Sequence, residues 1–152
     1  MAGAKFSIEL EGTELVQQRL NELLQRGSNL QPVFASIGEH LERSHDQRFR
    51  DQKSPDGIAW APLSEQYREK KKQNKDIILK LNDHLGREFG YQASGRELLF
   101  GTKFEYGALH QFGGTSDMPA GPAAVPARPW LGVSDDDIDV IAQMLGDFLM
   151  DN

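Results

Sequence analysis

The residues best suited to chemistry in this sequence are its four histidines, His40, His45, His84 and His110. A pair of metal ligands on a helix needs a spacing of four residues, which places both side chains on one face. His40 and His45 are five residues apart, so their side chains diverge around a helix. The spacing therefore predicts a solvated helix face at these two histidines rather than a metal site.

The other catalytic patterns are missing from the sequence as well. The chain has no cysteine, which excludes thiol catalysis, zinc–thiolate sites and disulfides. It has no GxSxG nucleophile elbow, and Gly86, Gly90 and Gly95 are not followed by the Gly-Lys-Ser/Thr of a phosphate-binding loop. Most carboxylates fall in helical charge patterns or in Asp135–Asp137, which indicates solubility and helix capping. We therefore expect no enzyme activity, no cofactor and no metal.

The charge pattern limits the partners. The 152 residues include 17 Lys and Arg against 23 Asp and Glu, a net charge of −6. Proteins that bind nucleic acid usually have a basic excess, so we expect no tight DNA binding by the whole surface. One basic cluster stands apart, and both a solvated helix end and a contact with nucleic acid or an acidic partner remain open for it. Its members are Arg68, Lys70, Lys71, Lys72 and Lys75.

A long loop ends on an arginine that lies between two prolines. Gly113 to Val125 is rich in Gly, Pro and Ala, and loops of this length are usually functional or disordered. We expect it to be mobile in a free subunit and ordered against a neighbour. Pro126 and Pro129 restrict the backbone around Arg128, whose guanidinium suits a carboxylate. Two roles remain open: Arg128 binds a partner, or it makes an internal bond that holds the last strand.

Hydrophobic spacing predicts the elements that must position these residues. Lys5 to Leu10 alternates as a short strand. Thr13 caps a first helix, Gly27 ends it, and Pro32 lies in the first turn of a second helix. The buried stripes of these two helices are expected to contain Val16, Leu20, Leu23 and Leu24, and then Val33, Phe34, Ile37, Leu41 and Phe49.

The second half of the chain gives further signals. Ser54-Pro55-Asp56-Gly57 predicts a turn, and Ser64 caps a short helix that contains the basic run. A hairpin turns at Ser94-Gly95. Residues 104–112 favour a short helix or turn, and Ala127 to Val133 a final strand. Ser134 caps a last helix whose apolar stripe is Ile138, Ile141, Leu145 and Leu149.

Helices and strands are segregated along the chain. The sequence therefore predicts a single α+β domain over residues 1–152. In it, N-terminal helices and a C-terminal helix pack on a small antiparallel sheet, with a long Gly/Pro/Ala loop. No apolar run approaches the roughly 20 residues needed to cross a bilayer, so we expect no contact with a membrane.

A set of short motifs in a fixed order resembles a known family. Trp60-x-Pro62-Leu63-Ser64-x-x-Tyr67 precedes the basic run. Tyr106-x-Ala108-x-His110-Gln111-Phe112-Gly113 follows it, and Pro126-Ala127-Arg128-Pro129-Trp130-Leu131-Gly132 leads into the acidic start of the last helix. The set resembles the phage virion morphogenesis family, the Mu-like G proteins and tail-completion proteins of contractile-tailed phages and prophages. The sequence departs from that pattern in two places: Asn82-Asp83-His84-Leu85 replaces Thr-Gly-x-Leu, and Gly107 replaces an alanine.

The resemblance implies a non-enzymatic structural protein of phage or prophage assembly, located in the virion and, during assembly, in the bacterial host cytoplasm. It implies tail completion or head–tail joining, as a subunit of a homo-oligomer such as a ring, in contact with other virion proteins. The candidate residues for those contacts are Arg128, Phe112, Trp130, Trp60, His110 and Gln111. The alternative is a nucleic-acid-binding accessory protein that uses the basic run 68–75.

Overall fold

A computed structural model describes residues 12–62, 89–102, 106–118 and 125–151. Within these ranges the chain forms helices α1 (Glu14–Gln25), α2 (Gln31–Asp51), α3 (Tyr106–Phe112) and α4 (Asp135–Asp151). Strands β1 (Phe89–Ala93) and β2 (Leu98–Thr102) form an antiparallel pair. The predicted strand at 5–10, the helix from Ser64 with its basic run, and loop residues 119–124 lie outside the described residues. The predicted α+β class is confirmed.

Helix α1 begins after Thr13 and ends at a glycine, as the sequence predicts. The Thr13 hydroxyl accepts a bond from the side-chain Nε2 of Gln17 (2.8 Å) and makes no capping bond to the backbone. At the other end Gly27 has a φ of +68°, while the Ser28 and Gly27 amides bond back to the Leu23 and Leu24 carbonyls. This paired ending satisfies the last carbonyls of the helix and turns the chain toward α2.

Helix α2 lies along the hairpin and the other long helices, and its predicted stripe is buried. The helix ends at Gln52 in the left-handed conformation (φ 55°). The predicted turn follows, with the Gly57 amide bonded to the Ser54 carbonyl (2.9 Å). One apolar core forms where this stripe meets α1 and α4, and we call it the aliphatic cluster because six of its seven buried members are aliphatic. Its buried members are Leu23, Leu30, Val33, Phe34, Ile37, Leu41 and Leu145.

The β1–β2 hairpin packs on α2 through one face. Tyr91 pairs with Phe100 across the two strands, and the Ser94 amide bonds to the Glu97 carbonyl at the turn (2.9 Å). A Cβ atom at Gly38 would lie 2.3 Å from Cγ of Tyr91. Glycine at this position therefore lets the strand approach the helix closely.

Helix α4 begins with reciprocal bonds between Ser134 and Asp137. The Asp137 amide donates to the Ser134 hydroxyl (3.0 Å), and the Ser134 amide donates to the Asp137 carboxylate (3.0 Å). This arrangement is a capping box. Ile141 and Leu149 are partly buried and pack against the aliphatic cluster. The guanidinium of Arg19 on α1 donates to the Ala142 carbonyl, which further joins α1 to α4.

The predicted strand at Ala127–Val133 is wrong. Residues 125–134, all of them described by the structure, contain no strand. The Arg128 amide donates to the His110 carbonyl at the end of α3 (2.6 Å). The Trp130 and Leu131 amides donate to a side chain instead of a neighbouring strand. The segment does not join the sheet, because the partners of its backbone groups come from elsewhere.

Candidate functional site

A second core cluster brings together the three large aromatic residues Phe49, Trp60 and Trp130. All three are buried, and Trp130 is fully enclosed. The ring centre of Phe49 lies 5.3 Å from that of Trp60 and 6.1 Å from that of Trp130. Phe89 of β1 packs against the same group. We call this the tryptophan cluster.

The indole groups of the two tryptophans hold backbone carbonyls of other segments. Trp60 Nε1 donates to the Pro129 carbonyl (2.7 Å), and Trp130 Nε1 donates to the Gly107 carbonyl of α3 (2.8 Å). A buried indole nitrogen needs an acceptor, and here each acceptor belongs to a different part of the chain. The tryptophans therefore join segments as well as fill space.

Gln111 supplies the bonds that a neighbouring strand would otherwise give to residues 130–131. Its Oε1 accepts from the Trp130 and Leu131 amides (both 2.9 Å), and its Nε2 donates to the Leu131 carbonyl (3.0 Å). Three backbone groups of one segment are thus satisfied by one buried side chain. Because Gln111 makes the bonds that a neighbouring strand would make, residues 127–133 fold without a strand partner.

Arg128 is buried and bonds within the chain. Its Nε donates to the Ala61 carbonyl (2.7 Å) and its Nη2 to the Pro62 carbonyl (3.0 Å). Of the two roles that the sequence left open, the internal bond is present, although it holds an irregular segment to residues 61–62 rather than a strand. A contact between Arg128 and a partner stays a prediction.

His110 and Phe112 lie on α3 beside this segment. Burial lowers the pKa of His110, and the nearby positive charge of Arg128 lowers it further. Phe112 is 56% exposed at the end of α3. The structure therefore brings all six candidate contact residues to the region where the end of α3, residues 60–62 and residues 125–132 meet. Among the six, Phe112 has the most exposed side chain.

Sequence reasoning missed a buried polar network between α2, residues 130–132 and the start of α4. Arg48 of α2 donates to the carbonyls of Trp130 (2.7 Å) and Gly132 (3.3 Å) and to the Asp137 carboxylate (3.3 Å). Burial lowers the pKa of Arg48, while the carboxylate of Asp137 raises it. Arg48 thus ties α2, residues 130–132 and the start of α4 to one another.

The prediction of a solvated face at His40 and His45 is wrong, because both side chains face this network. His45 is 1% exposed. Its Nδ1 bonds to the Leu41 carbonyl (2.7 Å), and its Nε2 receives the Gly132 amide (3.3 Å). The carbonyl only accepts and the amide only donates, so His45 is neutral with its proton on Nδ1. Burial, followed by the charge of Arg48, lowers its pKa to about 3.

Asp137 is the acceptor at the centre of the network, and not only a solubilising and capping group as the sequence suggested. His40 Nε2 lies 2.8 Å from one carboxylate oxygen, and the Ser44 hydroxyl donates to the other (2.9 Å). Burial raises the pKa of Asp137, but hydrogen bonds from Ser134, Ser44 and His40 outweigh it and leave the pKa below its ordinary value. The signal for this site was the spacing of four between His40, Ser44 and Arg48 on α2.

No group of three or more His, Asp or Glu side chains that could hold a metal ion occurs in the described parts of the chain. Among the same residues, no helix has the length and apolar character to cross a membrane. The basic run Arg68, Lys70, Lys71, Lys72 and Lys75 falls outside them, so its contact with nucleic acid stays a prediction.

Comparisons with known proteins agree on one family. The model of the phage virion morphogenesis family matches residues 12–150. Protein G of Escherichia phage Mu, named for capsid assembly, is 35% identical over 124 residues, 78% of each chain. The Mu-like prophage FluMu G protein 2 of Haemophilus influenzae is 26% identical over 143 residues, 94% of this chain and 95% of that one. Tail completion protein S of Escherichia phage P2 is 29% identical over 121 residues, 74% of this chain and 79% of that one. No solved structure matches the chain.

Proposed function

The chain belongs to the phage virion morphogenesis family, and from this premise we propose that it is a structural subunit of phage or prophage assembly. In this proposal it completes the tail or joins head to tail, acts in a homo-oligomer such as a ring, and catalyses no reaction. Its place is the bacterial host cytoplasm during assembly and the virion afterwards. Its partners are other virion proteins.

The observation that carries this proposal is the match over residues 12–150 together with what the shared motifs do in the fold. Trp60, Gln111, Arg128 and Trp130 come from three distant motifs, and their polar atoms bond to backbone groups of the same module. Side chains used in this way fix the shape of a surface. A subunit that must fit against neighbours depends on such a fixed shape.

The names of the relatives favour the tail and the head–tail joint as the place of action. The Mu relative is named for capsid assembly and the P2 relative for tail completion. A protein at the junction between head and tail would fit both names. We therefore place the subunit at the end of a tail or at its joint with the head.

The direct test is loss of the gene in a phage or prophage that encodes this chain. We expect electron microscopy of the lysate to show heads and tails that fail to form complete infectious particles, and a supplied copy of the gene to restore them. Normal particles and normal titre without the protein would contradict the proposal.

A DNA-binding measurement separates this proposal from the alternative of a nucleic-acid-binding accessory protein. The net charge of −6 favours weak binding, because phosphate is attracted by a basic excess. We expect no sub-micromolar affinity for duplex DNA at physiological salt. Tight binding that disappears in the triple variant Lys70→Ala, Lys71→Ala, Lys72→Ala would favour the accessory role instead.

A further inference from the structure

One of the hydrogen bonds that fasten residues 130–132 to helix α2 requires a neutral histidine. The Gly132 amide donates to Nε2 of His45 (3.3 Å), while Nδ1 of the same ring donates to the Leu41 carbonyl (2.7 Å). Both nitrogens of a protonated imidazole are donors. A proton on Nε2 would therefore set two donors against each other and remove the bond to Gly132.

Three aromatic rings pack around the buried His45 imidazole. Its ring centre lies 4.5 Å from that of Phe100, 5.9 Å from that of Phe89 and 6.2 Å from that of Trp130. These rings keep the imidazole from water, and a charge removed from water is costly unless an anion pairs with it. The closed site therefore favours the neutral ring.

The charged groups near His45 do not offset this cost. Arg48 and His40, on the same helix, disfavour a further positive charge, whereas Asp137 at the start of α4 favours it. The Asp137 carboxylate is already bonded to four other groups. Burial, followed by the charge of Arg48, holds the pKa of His45 at about 3, against 6.5 for an exposed histidine. Between these two values, a proton binds His45 only where the ring has left this site.

Residues 130–132 contribute a buried side chain to one core cluster and not to the other. Trp130 is the fully enclosed member of the tryptophan cluster. The buried members of the aliphatic cluster come instead from residues 23–41 and from Leu145, and Val133 is only a partly buried neighbour of them. Helices α1, α2 and α4 therefore keep their shared apolar core when residues 130–132 move away.

We propose that His45 and residues 130–132 form an acid-opened latch, in which protonation of His45 releases the segment from α2 and opens the tryptophan cluster. The aliphatic cluster and helices α1, α2 and α4 stay folded in this open form. The proton binds Nε2, the atom to which the Gly132 amide donates in the closed form. The latch follows from the fold alone and goes beyond the assembly role, so its failure would leave that role untouched.

The sign of the pH dependence follows from proton binding. Below pH 6.5 the open form binds more protons than the closed form, so acid favours opening. The ratio of open to closed molecules should rise by up to about tenfold for each pH unit between 6.5 and about 3. Asp137, whose pKa lies below its ordinary value, contributes only at the acid end of this range.

The two tryptophans provide a probe of this cluster alone. The chain contains only Trp60 and Trp130, and both belong to the tryptophan cluster. The experiment lowers the pH of the full chain from neutral to about 3 and records tryptophan emission, acrylamide quenching and helical circular dichroism in parallel. We expect red-shifted emission and increased quenching at a higher pH than the loss of helical signal. The latch is wrong if the signals change together, or if emission stays unchanged throughout.

Three histidine variants identify the group that takes up the proton. His45→Gln keeps a donor and an acceptor but does not titrate, so the early fluorescence change should disappear. His40→Gln is a matched control on the same helix, where glutamine can still donate to Asp137. His110→Gln is a second control, because burial lowers the pKa of His110 as well. Both controls should keep the early change, and its persistence in His45→Gln or its loss in His110→Gln would overturn the latch.

Hydrogen exchange tests the latch in the wild-type chain without any substitution. The protection factor of the Gly132 amide should fall by up to about tenfold per pH unit below 6.5. The Leu145 amide, within α4 and its enclosed core, should keep its protection over the same range. Equal loss of protection at both amides would mean that acid unfolds the whole chain, and constant protection at Gly132 would mean that His45 opens nothing. Either result refutes the latch.

Discussion

The two core clusters of this chain are built on different principles. The aliphatic cluster joins faces of regular helices, with Leu23 and Leu145 fully enclosed, and its contacts have no direction. The tryptophan cluster joins irregular segments, whose backbone groups cannot bond within a helix or sheet. There, specific backbone carbonyls each accept a hydrogen bond from a side chain. The donors are Arg48, Gln111, Arg128 and the indoles of Trp60 and Trp130.

This difference teaches where the chain tolerates change. An aliphatic core accepts a residue of similar volume, because dispersion and burial depend on shape alone. A cluster held by directed bonds accepts only a residue with the same donors in the same places, since an unpaired buried group costs about 1–3 kcal/mol. Four residues of the motifs by which the sequence resembles the family, Trp60, Gln111, Arg128 and Trp130, make these directed bonds. We therefore infer that these motif residues serve to bond backbone groups and not only to fill apolar space.

The largest expected effect comes from removing the residue that joins the polar network to the tryptophan cluster. Arg48→Ala leaves the Asp137 carboxylate buried without the Arg48 guanidinium and deprives two carbonyls of a donor. We expect a loss of about 3–5 kcal/mol in the free energy of unfolding, measured by urea denaturation. Arg50, two residues later on α2, is the control, since its pair with Asp46 is exposed. Arg50→Ala should cost about 0–1 kcal/mol, and equal losses in both variants would refute the network.

The second prediction concerns acid. His45 is neutral in the folded protein, with a pKa of about 3 against 6.5 when exposed, so below pH 6.5 the unfolded chain binds more protons. Stability should therefore fall from about pH 6.5 toward pH 3, by at most about 1.4 kcal/mol per pH unit for this one group. Asp137, whose pKa is lowered, adds to the loss below about pH 4.

Two variants test whether His45 causes the loss of stability in acid. His45→Gln, although less stable at neutral pH, should have a flatter pH profile between 6.5 and 4. Leu145→Ala in the aliphatic cluster should shift the whole profile downward and keep its slope, since leucine does not titrate. Thermal melting across this pH range provides the measurement, and a slope that survives in His45→Gln would exclude His45 as its source.

A third prediction tests the side chain that replaces a strand. Gln111→Leu keeps a similar volume but removes both acceptor bonds to the Trp130 and Leu131 amides. The expected loss is about 1–3 kcal/mol, with hydrogen exchange increased at those two amides. For comparison, Gln143→Leu alters an exposed glutamine of α4 that bonds only locally to Asp147 among the bonds observed. It should stay within about 0.5 kcal/mol of wild type.

The smallest expected effect is a conservative change in the aliphatic cluster, and a conservative change in the tryptophan cluster serves as its comparison. Leu145→Met should cost less than about 1.5 kcal/mol, because the aliphatic cluster needs only volume. Trp130→Phe is also conservative in character, but it leaves the Gly107 carbonyl without its indole donor and creates a void. We expect Trp130→Phe to cost more than Leu145→Met in calorimetric melting. The reverse order would mean that the two clusters do not differ as described.

The regular elements could be predicted because their signals are local. The stripes of α1, α2 and α4, the glycine at position 27 and the capping residue Ser134 each depend on a few neighbouring positions. The same holds for the hairpin, whose turn at Ser94 lies between two alternating segments. These elements therefore have the same location in the sequence pattern and in the structure. One residue of the predicted α1 stripe is wrong, because Leu24 is 51% exposed.

The candidate site could be predicted only in part, since its bonds join distant positions. The segment 127–133 has the composition of a strand, and nothing nearby shows that Gln111 takes the place of its neighbour. The burial of His45, Arg48 and Asp137 depends on the packing of α4 against α2. No local sequence pattern predicts that packing. The prolines around Arg128 indicated a constrained arginine, but they did not identify the Ala61 and Pro62 carbonyls as its acceptors.

The long separations within the tryptophan cluster have a consequence for the order of folding. Arg128 reaches back 67 residues to Ala61, and Arg48 reaches forward 82 residues to Trp130. Contacts this distant require costly loop closure before they stabilise anything, so they form slowly and late. A nascent chain has its helices α1 and α2 well before segment 125–132 leaves the ribosome. The tryptophan cluster therefore cannot close on an unfinished chain that lacks residues 125–132, because Trp130 is one of its buried members.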